Sequence, residues 1–330
     1  MVMLILMPVV SCLGVDLPFQ KNQTAHTIME NIAACKFEQA RIVIDSMLSI
    51  DSSDALAWML LMAQISLQQL DYDQSSDSDS FQKTYEQTKN VLAVDNNSGS
   101  ADSDFLTIKG ITQLIASAYA MHRKKYISAL KSGFNALDLC KEAKKIDSAN
   151  ADVDFMLGLY AYARAELKRK FLGILFWYSG DKRSGIRIIK NSSRNARLIS
   201  LVADMALQEI YVREGVYDQA ASGIERLLAS YPGSRFVLWT KAKLFDAQKM
   251  PDRAAEVYGT LADAYEQIHA AQKNYFTTRF LEAKRYFEAK NNQKALAVCN
   301  RLLAECKGTN DDNCDEIEDL LIKIRRETGP

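Results

Sequence analysis

The hexad Gly215-Val216-Tyr217-Asp218-Gln219-Ala220 constrains this chain more than any other stretch, because the chain restates it. A second copy, Lys249-Met250-Pro251-Asp252-Arg253-Ala254, ends 34 residues later. A looser copy, Gly180-Asp181-Lys182-Arg183-Ser184-Gly185, ends 35 residues earlier. A period in this range marks helical hairpins stacked in line, each able to bury its apolar face only against its neighbours. Stacks of this kind mostly bind partners and seldom carry out chemistry.

The chain has 330 residues, 48% of them apolar, which suffices for two ordinary domains or one extended solenoid. Five prolines and 14 glycines suit a helical chain and argue against a many-turned β architecture. Formal net charge is zero, so no global field draws the protein to nucleic acid or to a membrane. The charge is unevenly placed, however. Residues 71–104 hold eight acidic and two basic side chains, which reads as a solvated Ser/Asp-rich loop region. Residues 164–197 hold ten basic side chains against two acidic ones, Glu166 and Asp181.

The first twelve residues, MVMLILMPVVSC, form an apolar run too short to span a bilayer. The run fits the apolar region of an export signal, although no Lys or Arg precedes it. Val9-Val10-Ser11-Cys12 resembles the lipobox of bacterial lipoproteins. That resemblance implies lipidation of Cys12 and tethering to the outer membrane of a bacterial envelope, with the body of the protein in the periplasm. An ordinary cleaved signal and a buried first element remain the other readings. Cys306 and Cys314 flank a turn between two helical segments, where a disulfide is sterically allowed. Cys35, Cys140 and Cys299 sit at apolar positions of helical patterns and read as buried thiols. No CxxC pair or Cys/His cluster proposes a metal.

From about residue 24 the pattern is helix, short turn, helix. Thr24–Ala34 pairs with Phe37–Ile50, and Asp51-Ser52-Ser53-Asp54 then supplies a turn and an N-cap for Ala55–Leu70. The same punctuation recurs at 147–150 before Ala151–Leu167, and at 231–234 before Arg235–Gln248. Trp58, Phe155 and Trp239 each follow such a turn and read as core packing between hairpins. Second-helix openings are Phe37-Glu38-Gln39-Ala40, Tyr126-Ile127-Ser128-Ala129, Tyr217-Asp218-Gln219-Ala220, Pro251-Asp252-Arg253-Ala254 and Asn292-Gln293-Lys294-Ala295. These residues resemble the tetratricopeptide repeat (TPR), most strongly over 180–265. The resemblance implies an all-α, right-handed α-solenoid of TPR-like hairpins over residues 24–327, following a signal and tail over 1–23. Steps of 89 residues from Ala40 to Ala129 and 56 from Ala129 to Gly185 require irregular insertions. Segments 71–80 and 95–104 read as loops within the stack. Gly158-Leu159-Tyr160 with Gly180-Asp181 and Gly185-Ile186 further resembles irregular tetratricopeptide proteins of the mitochondrial outer membrane and their bacterial relatives.

The chain carries no phosphate loop, dinucleotide glycine fingerprint, GxSxG elbow or HExxH. His26, His122 and His269 are far apart in sequence, and each lies in a helical pattern. Asp152/Asp154 and Glu316/Glu318 stand at i,i+2, where helical side chains diverge, so they read as solvated charges and caps. No catalytic residue and no cofactor is therefore proposed.

One segment stands out. Lys168-Arg169-Lys170 precedes the apolar octet Phe171–Tyr178, and Asp181-Lys182-Arg183 follows it, with Arg187 one turn on. Trp177 and Tyr178 with these cations could seat in a membrane interface, or the octet could fold back onto the solenoid. The cations could also line a concave groove and clamp an acidic peptide. The leading expectation is a non-enzymatic scaffold, exported and tethered, that binds a protein or peptide partner on its concave surface. A peripheral membrane protein acting through 168–183 is the alternative, and an envelope component with an unseen active site is the third class.

Overall fold

The computed structural model describes residues 19–73, 78–95, 102–170, 181–306 and 313–328. Within them the chain is all-α. The first seven helices are α1 (Phe19–Ala33), α2 (Phe37–Ile50), α3 (Ala55–Tyr72), α4 (Ser78–Asp95), α5 (Ser103–His122), α6 (Tyr126–Ile146) and α7 (Ala151–Lys170). Then come α8 (Lys182–Asn195), α9 (Ser200–Arg213), α10 (Tyr217–Ser230), α11 (Arg235–Ala247) and α12 (Pro251–Glu266). A 3-10 turn, His269–Ala271, precedes α13 (Gln272–Glu288), α14 (Asn292–Cys306) and α15 (Asn313–Thr328).

The hexad marks a turn that the backbone repeats five times. Cys35, Lys124, Gly215, Lys249 and Lys290 all have φ between 57° and 74°, and each stands two residues before a second helix. In each turn the next residue's N–H reaches back to the carbonyl five residues earlier, as in Val216 to Tyr211 and Met250 to Phe245. A left-handed residue with this 6→1 bond is the Schellman ending, which satisfies carbonyls that the helix leaves open. Only Gly215 adopts it without a Cβ clash. The hexad's final alanine then seats against the preceding helix: Ala40, Ala220, Ala254 and Ala295 are fully buried. The return turns are capped as the sequence predicts. The Asp54 carboxylate accepts from Leu56 N–H at 3.0 Å and Ala57 N–H at 3.2 Å, and Ser234 and Asn150 serve α11 and α7 in the same way.

The 89-residue step is two hairpins, not one with a long insertion: α3 with α4, then α5 with α6. Helix α4 begins without the hexad, which is why counting hexads misses it. The expected loop over 71–80 is also shorter than expected, because α3 continues through Tyr72 and α4 opens at Ser78.

Successive helices pack in chain order, giving a solenoid-like stack of two layers. Odd-numbered helices touch one another, as in α1 with α3, α3 with α5 and α9 with α11, whereas even-numbered helices touch mainly their chain neighbours. The odd helices are therefore the inner layer. The stack also curls on itself, since α1 meets α9 and α3 meets α13. Helix α15 covers the far end with Ile317, Leu320, Leu321 and Ile324, an i, i+3, i+4, i+7 face that is buried while its other side stays in water. At α7–α8 the approach is unusually close: a Cβ on Gly185 would lie 2.8 Å from the Tyr162 nitrogen and 2.9 Å from the Gly158 oxygen. Gly158 and Gly185 are two of the three glycines that the sequence singles out in this segment; the third, Gly180, lies outside the described residues.

Candidate binding cavity

Curling brings the inner helices around a central cavity of about 570 Å³. Met29 and Ile32 of α1, Leu67 and Leu70 of α3, Leu201, Val202 and Met205 of α9, and Phe236 of α11 supply most of its wall. The size falls in the range of ligand pockets, roughly 300–1,000 Å³, and so does the makeup: an apolar wall with a few placed polar groups.

The polar groups belong to the latch that closes the ring. Arg235 opens α11, and its Nε and Nη2 donate to Asp71 Oδ2 at 2.9 and 2.5 Å. The Tyr265 hydroxyl donates to Asp71 Oδ1 at 2.9 Å and accepts from Trp239 Nε1 at 3.0 Å, while Asn274 donates to the Asp71 carbonyl at 2.7 Å. Asp71 is 1% exposed and Arg235 9%. Burial alone works against the Arg235 charge, but the hydrogen bonds and charge of Asp71 outweigh it and raise its affinity for the proton. Burial, then the Asp71 charge, pushes the Tyr265 hydroxyl upward, so it remains a donor. The adjacent Cys35 thiol is pushed up to about 11 by the same two effects, which leaves it protonated and unreactive. Asp71 thus departs from the sequence expectation of a solvated acidic loop. Phe37 stacks edge-on to Phe236 beside the latch, with ring centres 6.4 Å apart.

At the cavity rim the charges neutralise one another. Lys243 Nζ lies 2.8 Å from Glu209, and Lys273 pairs with Asp73. The wall has no free cationic row of the kind an acidic peptide would require. His122, the last residue of α5, contributes an imidazole to the lining; Trp239, expected as core packing, lines the cavity as well.

The residues singled out by sequence fall elsewhere. Lys182, Arg183 and Arg187 lie on α8, in the outer layer, and none of them lines the cavity. Lys182 is engaged internally, 2.8 Å from Glu214, which also accepts from the Tyr162 hydroxyl at 2.7 Å. Arg183 and Arg187 are exposed. Lys168, Arg169 and Lys170 end α7, but their side chains, together with Trp177 and Tyr178, lie outside the described residues, as do Cys12 and the side chains of Cys306 and Cys314. Burial pushes the Cys140 thiol up to about 12 and the Cys299 thiol to about 11, so both are inert thiols in the core.

The two parts of the uneven charge distribution meet. Arg197, from the basic block, pairs with Asp104, from the acidic one. Asp152, expected as a solvated charge or a cap, is 2% exposed at its side chain and accepts the N–H groups of Arg197, Leu198 and Ile199 at 3.2, 2.8 and 3.1 Å. It thereby supports the start of α9 from a neighbouring hairpin. Burial raises its pKa above the usual 3.8, with those N–H groups opposing the shift. Asp154 points away from it and pairs with Lys144 at 2.7 Å.

Among the described residues, no three His, Cys, Asp or Glu side chains gather as a metal site, and no helix is long and apolar enough to cross a membrane. No family model matches the chain, and no curated protein matches it.

Proposed function

We propose that this chain is a non-enzymatic interaction scaffold, exported and membrane-tethered, whose inner helices receive an apolar segment of a protein or peptide partner in the central cavity. The cavity is the observation that supports the reading: large, apolar-walled, and framed by a satisfied polar latch. Its paired rim charges favour an uncharged segment over an acidic one, because a charge brought there would find Lys243 and Glu209 already paired. The reading takes the hairpins as TPR-like, supported by five matching Schellman turns and their buried alanines. Export and tethering rest on the likeness of residues 9–12 to a lipobox. A lipid-associated role through 168–183 has weaker support, because Lys182 is held by Glu214.

The test is a photocrosslinker, benzoylphenylalanine, placed at Val202 on the cavity wall or at Ile42, which is 69% exposed on the outer helix α2. An adduct from the native envelope is expected at 202 only, and it should fall sharply when Ala206→Trp obstructs the cavity. Equal adducts at both positions, or none at 202 in a folded chain, would refute the reading.

A further inference from the structure

Eleven large apolar side chains are exposed among the described residues, and five of them fall between Met121 and Phe134. Ile127 is 86% exposed, and Tyr126, Leu130 and Phe134 are each more than half exposed. On a helix, positions 126, 127, 130 and 134 fall within about 100° of arc, so they form one stripe. An adjoining face of α6, centred about 120° away, carries Ala129, Ala136, Cys140 and Ala143, all buried. Helix α6 is therefore apolar on two faces, and among the described residues only one of them packs into the stack.

Charge accompanies the stripe. From Phe105 to Leu137 the chain has no Asp or Glu, against Lys109, Arg123, Lys124, Lys125 and Lys131. Lys124, Lys125 and Lys131 are exposed around the same end of α6. The nearest carboxylate along the helix, Asp138, pairs with Lys141 at 3.1 Å. An exposed apolar ridge ringed by unopposed cations, with an aromatic residue at its tip, is the pattern of an element lying in the interface of an anionic bilayer. Among the described residues the ridge is the exposed face of a single helix. A bilayer interface can mould around such a helix, and lysine stems can reach headgroups while their methylenes cover apolar surface.

We propose that the α5–α6 edge is a membrane-docking face. Tyr126, Ile127, Leu130 and Phe134 enter the interface of an anionic bilayer, and Lys124, Lys125 and Lys131 contact its headgroups. The proposal is independent of what occupies the cavity.

The experiment is flotation of the full chain with vesicles of phosphatidylcholine, alone or mixed in equal parts with phosphatidylglycerol, alongside amide hydrogen exchange. Wild type should float with the anionic vesicles, and exchange over 121–135 should slow when they are added. Ile127→Asp with Phe134→Asp should weaken flotation about tenfold, and Lys124→Glu with Lys125→Glu comparably, with helicity by circular dichroism unchanged. These positions are exposed, so loss of binding would not reflect unfolding. Three outcomes would overturn the proposal. One is flotation by the Asp variant equal to wild type, or binding with exchange over 121–135 unaltered. Another is no flotation together with a dimer that the Asp variant loses, which would make the stripe a contact between copies. The last is exchange over 121–135 that is slow before vesicles are added and unchanged afterwards, which would assign the stripe to the chain's own octet at 171–178.

Discussion

At Asp71 a carboxylate is held out of water by partners 164 and 194 residues further along the chain. Neither charge of the Asp71–Arg235 pair is tolerable alone in that setting, since removing one partner of a buried pair costs about 3–5 kcal/mol. Asp71→Ala should therefore destabilise the chain by about that amount in urea melts. Asp71→Leu combined with Arg235→Met should recover much of the loss, because the pair's own desolvation cost disappears with it. Strictly additive losses would mean that the two side chains are not coupled. Asp152 makes a different prediction. Its folded pKa lies above its unfolded one, so the folded state holds the proton more tightly. Stability from this group is therefore present below the unfolded pKa, near 3.8, and falls as pH rises through the folded value. An NMR titration should place the Asp152 midpoint above 3.8, and Asp152→Asn should remove that pH dependence. A midpoint at or below the ordinary value would contradict the burial argument. Neither role is readable in sequence. Asp71 stands between Leu70 and Tyr72 and Asp152 between Ala151 and Val153, and neither setting names a partner: those of Asp71 are 164 and 194 residues away, and those of Asp152 lie in the next hairpin.

Helices and turns were far more legible, because their causes are local. The hexad encodes a Schellman turn followed by a small residue that seats a second helix, and the Asp, Asn and Ser caps encode where first helices open. Where those local signals lapse, legibility lapses too: α4 opens at Ser78 without a hexad, so a count of hexads takes its hairpin for an insertion. The five turns also differ in a testable way. Lys249 takes the left-handed conformation that costs an L-residue about 1–2 kcal/mol, and Gly215 takes it freely. Lys249→Gly should accordingly raise stability by up to about 1 kcal/mol, after glycine's greater unfolded-state entropy is subtracted, and Gly215→Lys should lower it by a similar amount. Thermal melts of the two variants would check this; a destabilising Lys249→Gly would indicate that the lysine side chain contributes more than its backbone costs.

For the molecule as a whole, the periodic pattern predicts a stack but not how tightly it curls. Curvature depends on the rotation between neighbouring hairpins and on contacts such as α1 with α9 and α3 with α13, which no local pattern records. One reading of the sequence places Lys182, Arg183 and Arg187 along a concave groove; the half-open apolar cavity framed by the inner layer is lined by other residues, and α8 lies outside it. Apolar residues at helical spacing look the same whether they fill a core or line a space, so Met205 and Phe236 could not have been told from packing residues in advance. Titration with the apolar dye Nile red tests most directly the claim that the half-open cavity is a binding site. The wild-type chain should bind the dye at one saturable site with a blue-shifted emission, and Ala206→Trp should abolish that signal while keeping the wild-type circular dichroism spectrum. Undiminished binding in the Trp variant, or no saturable binding in the wild type, would contradict it.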